Sequence, residues 1–586
     1  MKKLSKGKKI LAGIVAGVVV LVMIMLFSAD IYISHILHNK IETKVNENPE
    51  VPYTLEVSKI NVGIFSGSLK LKGITITPKQ SLTDSLASGA VKSVVKGNIK
   101  VVKITGANII RFLKEKELII RKVTIRGADL TALKNRNAGK PENNKPDSTD
   151  IKKSPFSDNF NGLVIKKFLL DDINYTELDF EKQQDTLLVF RSLTVGINDI
   201  VFNRQTYSNP VPVSFVGITV GIEHLSEKSM KFYEISTTGI DLNLTDTIIV
   251  IKNFSFLPKF SRKEYNKRLK HENDLFSITT KSVTFNGLDL QKLLSLKSGI
   301  KLSSIVVQSP DIVIYRDKNL PDPPYKYHPL LAGLIKKIPV PFIADSVFIK
   351  NGNLVYAEKQ KHTEKPGEVS FTNLNITIGN VTNNPDRLAE NHFMPVDIKA
   401  KLYGKGKINA RLDIDLTSDN ESFNAKGSLG PIKASAFNKM TKELLLVKIT
   451  SGKIKGALFN FSADDDVSNG EIIVNYENLK VNLIKGKDTT KKAKFMSFVA
   501  GGALKKNNMP GDKKYKTGII NFERAKGKGF PNYLWKSILS GLVSTIAPIG
   551  ENRNQRAKSK AIKKGRRNNN KESKKKKRKN KKKGRG

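Results

Sequence analysis

The chain has 586 residues, no cysteine, and 101 Lys and Arg against 54 Asp and Glu, for a formal charge of +47. That length can bury a core and hold roughly two to four ordinary domains or one long repetitive one. The missing thiols exclude disulfides, thiolate metal sites and cysteine catalysis, and the charge points to anionic surroundings such as phospholipid headgroups or other phosphate-rich surfaces.

From Ile10 to Phe27 the stretch "ILAGIVAGVVVLVMIMLF" carries no charge. At about 1.5 Å per residue it is just long enough to cross a hydrocarbon core of about 30 Å. Lys2, Lys3, Lys6, Lys8 and Lys9 precede it, Asp30 follows it, and the next basic residue is Lys40. The positive-inside bias therefore puts the N-terminus in the cytoplasm and the rest of the chain across the membrane. A cleaved signal peptide shares the charged start, but the apolar run is long for one and Phe27-Ser28-Ala29 is a poor cleavage site. Residues 1–50 are thus expected to be an uncleaved anchor, with Ile10, Val15, Val20, Met25 and Phe27 in the span, and a short helical extension ending near Pro49.

Beyond Pro49 the pattern turns to period two. Ile60, Val62 and Ile64, Leu69 and Leu71, and Ile74 and Ile76 alternate with polar residues or Gly, as do Leu412, Ile414 and Leu416, and Ile472, Val474 and Tyr476. Such alternation marks strands with one apolar and one wet face. The body is predicted to be overwhelmingly β.

An internal repeat adds to this. "YTLEVSKINVGIFSGSLKLKGITITP" (Tyr53 to Pro78) lies over "YEISTTGIDLNLTDTIIVIKNFSFLP" (Tyr233 to Pro258) without a gap, placing Leu69 on Ile249, Leu71 on Ile251 and Pro78 on Pro258. Three later blocks follow in the same order at nearly the same spacing, among them "VIKKFLLDDINYTE" over "DSVFIKNGNLVYAE", which sets Tyr175 on Tyr356. The expected division is a β unit over 51–230, a second over 231–400 and a terminal β module over 401–530. A polar, Pro-containing insert from Asn135 to Ser154 is expected to be disordered, and a second Lys/Asn-rich loop lies near Lys505 to Lys516. Repeated β units that extend one sheet edge to edge build an elongated, quasi-one-dimensional object.

Within 531–550, Leu534, Trp535, Ile538, Leu539 and Leu542 fall on one helical face. Trp535 is the only tryptophan, and indole favours a membrane interface. The segment reads either as an interfacial amphipathic helix or as a plug at the end of the sheet with Trp535 in the core. After it, residues 551–586 form a basic tail. From Arg553 to Gly586 there are 19 Lys or Arg and a single acid, Glu572, with no apolar pattern to fold around.

The order of these parts resembles the AsmA-like family of envelope proteins. The resemblance rests on the anchor followed by "GSLKLKGITITP" (Gly67 to Pro78), on "LSSIVVQSPDIVIYRD" (Leu302 to Asp317), and on "FNAKGSLGPIKASAFNKMT", "ITSGKIKGALFNFSADDD" and "GEIIVNYENLKVNLI" between Phe423 and Ile484. It covers nearly all of residues 1 to 545, and the lysine tail departs from it. It implies a mainly β protein: one N-terminal transmembrane helix in the inner membrane, then an elongated, repetitive, curled, groove-like β-sheet in the periplasm. A short C-terminal amphipathic helix and a disordered basic tail complete the expected fold. It also implies a role in handling lipids between inner and outer membranes. The candidate groove lining is Ile60, Val62, Leu69, Leu71, Ile74, Ile249, Ile251, Phe254, Ile376, Ile378, Leu412, Ile414, Ile472 and Val474. About thirty to forty crossing strands at about 4.8 Å each would reach on the order of 100 to 200 Å. The rival packing is a filled sandwich in which the apolar face seals against itself.

Chemistry-bearing motifs are sparse. His35 and His38 sit one helical turn apart without further ligands. "SADDDVSNGE" (Ser462 to Glu471) lacks calcium-loop spacing, and "GKDTT" (Gly486 to Thr490) is no phosphate loop. No nucleophile–base pairing stands out, so no enzyme, metal or cofactor is expected. The expected partners are phospholipid acyl chains, the inner membrane and, through the tail, the inner leaflet of the outer membrane or anionic envelope polymers. A scaffold of the same fold without lipid flux and a nucleic-acid binder using the tail are the alternatives, the second disfavoured by topology.

Overall fold

The computed structural model describes residues 46–48, 51–63, 66–138, 160–183, 185–207, 213–288, 299–361, 363–484 and 505–546. The anchor residues Ile10, Val15, Val20, Met25 and Phe27, the histidine pair, residues 139–154 of the polar insert and the tail lie outside them. No helix among the described residues is long and apolar enough to cross a membrane.

The strands join into one mixed sheet of 23. β1 (Tyr53–Gly63), β2 (Ser68–Pro78), β3 (Ser93–Ala107) and β4 (Glu117–Lys134) are antiparallel neighbours, and β5 (Gly162–Asp179) joins β4 in parallel. β6 (Thr186–Asn203) follows, paired on its far side with β7 (Gly217–Ile222) and β8 (His224–Glu227). β9 (Tyr233–Thr237) pairs with β8, β10 (Gly239–Asn243) with β7, and both with β11 (Ile248–Pro258). β12 (Asp274–Asn286) then receives β13 (Ile300–Gln308) and β14 (Asp311–Asp317), which both lie parallel to β15 (Phe342–Lys359). β16 (Gly367–Thr382), β17 (Phe393–Leu402), β18 (Gly406–Asp415) and β19 (Phe423–Leu429) continue antiparallel. β20 (Ile432–Lys433) and β19 pair with β21 (Val447–Ala463), and β22 (Val467–Leu483) and β23 (Gly518–Glu523) complete the sheet.

The pattern is repetitive. Tyr53 faces Pro78 and Tyr233 faces Pro258 in the same register, and each later gives way to a parallel crossing, β4 with β5 and β13–β14 with β15.

These strands are fewer and longer than the sequence suggests, because apolar positions step by three at fixed levels without ending the strand. On the first strands the step falls between Val57 and Ile60, Leu71 and Ile74, Ile99 and Val102, and Ile125 and Ala128, all within one core cluster or packed against it. At this level Gly73, Gly127, Asp172, Ser192, Asn253, Ser309, Asn351 and Asn373 have positive φ. Gly, Asn and Asp tolerate that conformation best, and a kink there lets the chain skip one residue and keep its apolar side on one face. A second line of three-residue steps crosses the strands at Ile104/Ala107, Ile165/Phe168, Phe285/Leu288 and Ile378/Val381, with positive φ at Gly106, Gly287 and Asn380. The rows between these two lines form the middle band, or floor, of the apolar face.

Short helices sit at the rims: α1 (Gln80–Ala87), α2 (Ile109–Glu115), α3 (Arg204–Tyr207), α4 (Arg262–Lys267), α5 (Leu331–Lys336), α6 (Pro385–Glu390), α7 (Asn438–Leu445) and the longer α8 (Phe530–Ile546). α4 opens with a reciprocal capping box between Ser261 and Glu264. Its Tyr265 packs on Leu275, Tyr315 and Ala357 in a small cluster separate from the two large cores. The Lys505–Lys516 loop is tied down by Asn508, whose amide donates to the carbonyls of Val474 at 2.8 Å and Lys516 at 3.0 Å.

Candidate functional site

One register line crosses the floor from end to end, and almost every rung is apolar. Ile60, Leu71, Val102, Ile125, Leu170 and Val195 are paired in sequence across β1 to β6. Val220, Leu242, Ile249, Phe285, Ile305, Val347 and Ile378 carry the line on through β7, β10 to β13, β15 and β16. Val396, Leu412, Ala425, Phe461, Gly470 and Ile520 finish it. At about 4.8 Å per rung this is an apolar strip on the order of 90 Å long.

Burial divides the strip into three. The rungs from Ile60 to Val195 and, Gly470 apart, from Val396 to Ile520 are buried, whereas every rung from Val220 to Ile378 is only half-buried. The neighbouring rows behave alike. Ile251, Val283, Val307, Ile349 and Ile376 on one side, and Phe256, Ile278, Ile312, Leu354 and Phe371 beyond the first kink line, are all half-buried. A sealed sandwich core shows its central residues as the most buried. Here the centre is the most accessible part of the strip.

The ends are closed by identifiable groups. At the N-terminal end Phe112 of α2, Phe160, Tyr207 and Phe215 pack against the core. At the C-terminal end α8 lies over β22 and β23. Its Tyr533, Ser537, Gly541 and Thr545 face the sheet, and a Cβ on Gly541 would come within 2.6 Å of both Ile472 and Ile520. The Ser544 hydroxyl accepts from the Ile519 N–H at 2.7 Å and the Ser540 hydroxyl from the Asn521 N–H at 3.3 Å, so the helix covers an otherwise open sheet edge.

A strap, residues 318–330, is bound to this C-terminal region by charge. The fully buried Arg524 side chain pairs with Asp465 and donates to the His328 carbonyl, and Lys526 reaches Asp465 at 2.9 Å and Asp466 at 2.7 Å. Glu272, 1% exposed, holds Lys318 at 2.6 Å and Lys528 at 3.3 Å. Burial, then the hydrogen bond to Asp465, pushes the Tyr327 phenol up to about 12. Burial likewise raises Tyr356, which donates to Glu358 at 2.8 Å. These are structural ties, and among the described residues no group of His, Asp and Glu is arranged to hold a metal.

All fourteen candidate lining residues lie on this one apolar face. Ile60, Leu71, Ile249, Ile378 and Leu412 are rungs of the line itself. Leu69, Ile251, Ile376, Ile414, Ile472 and Val474 flank it, and Ile74 and Phe254 lie beyond the first kink line. Val62 is 40% exposed near the end of β1. Their burial is uneven: Ile60, Leu71, Ile74, Leu412, Ile414, Ile472 and Val474 are sealed, and Leu69, Ile249, Ile251, Phe254, Ile376 and Ile378 are half-buried. Phe285, Ile305 and Val347, absent from the candidate set, occupy the accessible centre; only pairing register identifies them.

The α8 stripe is also divided. Leu534, Ile538 and Leu542 pack against the C-terminal core, while Trp535 at 36% and Val543 at 42% exposure face outward with Leu539 half-buried between them. The face laid fully on the sheet is the small-residue face, because Gly518 and Gly541 permit a close backbone approach that leucines would block. No family model matches the chain, and no curated protein sequence is significantly similar to it.

Proposed function

We propose that this is a membrane-anchored envelope protein whose apolar trough holds or conducts phospholipid acyl chains, serving lipid transfer between inner and outer membranes or outer-membrane assembly. The observation that carries the reading is the half-buried centre of the apolar face, flanked by buried ends. Each methylene brought out of water is worth about 0.8 kcal/mol, so a sixteen-carbon chain exposed to water costs on the order of 10 kcal/mol. A continuous apolar floor removes most of that cost. The resemblance of the segment order to that of AsmA-like proteins supports the same role, as does the uncharged run from Ile10 to Phe27, which would anchor one end with the body in the periplasm. The reading is non-enzymatic and needs no cofactor.

Purification of the full chain in mild detergent followed by lipid mass spectrometry tests it. Phospholipid is expected to co-purify and to be lost when the central rungs are made polar. Recovery of the chain free of phospholipid would leave an envelope scaffold with the same fold.

A further inference from the structure

We propose that the N-terminal end of the trough docks on an anionic phospholipid bilayer through α2 and the lysine block on the reverse face of β1 to β5. This concerns the outer surface and holds whether or not the trough carries acyl chains. The first observation is a set of like-charge pairs that no ion pair among the described residues relieves. Lys59 stands directly across from Lys72, Lys70 from Lys103, and Lys122 from Lys167. Like charges directly opposed on a sheet destabilise it. On the same strands Asp171 is paired with Arg126 at 2.7 Å and Asp199 with Lys166 at 2.9 Å. Three such pairs on adjoining rows make a surface that is stabilised when phosphate covers it.

The second observation is independent. α2 turns Phe112 into the core but leaves Ile110 at 70% and Leu113 at 64% exposure, with Ile109 beside them at 45%. Asn108 accepts from the Arg111 N–H at 2.9 Å to start the helix, and Lys116, in the left-handed region at φ 59°, ends it. The exposed aliphatics are thus held on a rigid tip, with Lys114 and Lys116 beside them and Arg111 paired with Glu115 at 2.7 Å and Glu117 at 2.9 Å. The register places that tip beside the block, since Ala107 faces Ile120 and Thr105 faces Lys122. Aliphatic side chains flanked by Lys114 and Lys116 and continuous with a basic face fit the headgroup boundary of an anionic leaflet. Residues 28–52 are all that separate the uncharged run from β1, so the same bilayer is within reach.

Because the chain has no cysteine, Leu113→Cys carries a single polarity-sensitive fluorophore in the full-length protein reconstituted into vesicles. Its emission is expected to shift to the blue in phosphatidylcholine vesicles containing phosphatidylglycerol and to stay water-like in phosphatidylcholine alone. Raising salt to about 1 M, where the screening length falls to about 3 Å, should reverse the shift. The same fluorophore at Leu458→Cys, 57% exposed on the distal strands, should not respond. Lys70→Gln, Lys72→Gln and Lys103→Gln together should lower the docked-to-free ratio about 100-fold, at about fivefold per charge. In lipid-free detergent the same triple variant should melt higher than the parent, because two like-charge pairs are gone. A water-like Leu113 probe on anionic vesicles, an equal shift on neutral ones, a response to added DNA but not to vesicles, or a lower melting point of the triple variant would each overturn the proposal.

Discussion

Ile305→Asp places one carboxylate in the middle of the accessible floor, between Phe285 on β12 and Val347 on β15. Because Ile305 is half-buried, the carboxylate keeps access to water and the fold loses about 1–3 kcal/mol, within the range of ordinary substitutions. An acyl chain sliding along the floor meets a rung about 4.8 Å wide, about four methylenes, that no longer shields it; at about 0.8 kcal/mol each the added barrier is about 3 kcal/mol. Such a barrier slows passage on the order of 100-fold. The assay is transfer of a fluorescent phospholipid between donor and acceptor vesicles by the full-length protein, with Val306→Asp as the control. Val306 is the next residue, points to the reverse face and pairs with Thr284 and Phe348. Transfer by Val306→Asp is expected to match the parent. Equal transfer by both variants, or equal loss in both while each remains folded, would refute the idea that lipid travels over this floor.

Three further expectations concern the closed ends. Leu71→Ala removes a fully buried rung and should cost about 2–5 kcal/mol in denaturant unfolding, whereas Val347→Ala, at the half-buried centre, should cost about 1 kcal/mol or less. Ser540→Ala with Ser544→Ala strips two acceptors from the β23 edge and should destabilise by about 1–3 kcal/mol for each N–H left unsatisfied, with hydrogen exchange rising first at Ile519 and Asn521. Asp415 governs an acid response. Burial works against its ionisation, but hydrogen bonds from Thr417, His392 and the backbone N–H of Thr417 and Ser418 outweigh it and hold the carboxyl at about 2. A folded value below the ordinary 3.8 means that its stabilisation is complete above pH 4 and lost as pH falls through 2. Unfolding curves of Asp415→Asn should lack that part of the acid slope.

The mainly β character was legible because period two survives locally: Leu69 and Leu71, Leu412 and Ile414, and Ile472 and Val474 each lie on one face of a single strand. The steps of three between them were misleading. Leu71 to Ile74 looks like the end of one strand and the start of another, yet Gly73 in the left-handed region carries one strand through. Instead of the expected thirty to forty crossing strands, the described residues hold 23, some of them 18 residues long. In α8 the sequence showed an amphipathic helix, but its seating was hidden. The decisive residues, Gly518 and Gly541, are far apart in the chain and matter only through the backbone approach they permit.

The residues alone determined which side of each strand is apolar, since alternation is a property of neighbours along the chain. Whether that side is open or sealed was decided by tertiary structure. The same Ile or Val is buried under Phe112 or α8 at the ends and half-buried over β11 to β16, because accessibility depends on what another part of the chain lays across it, and no local pattern encodes that.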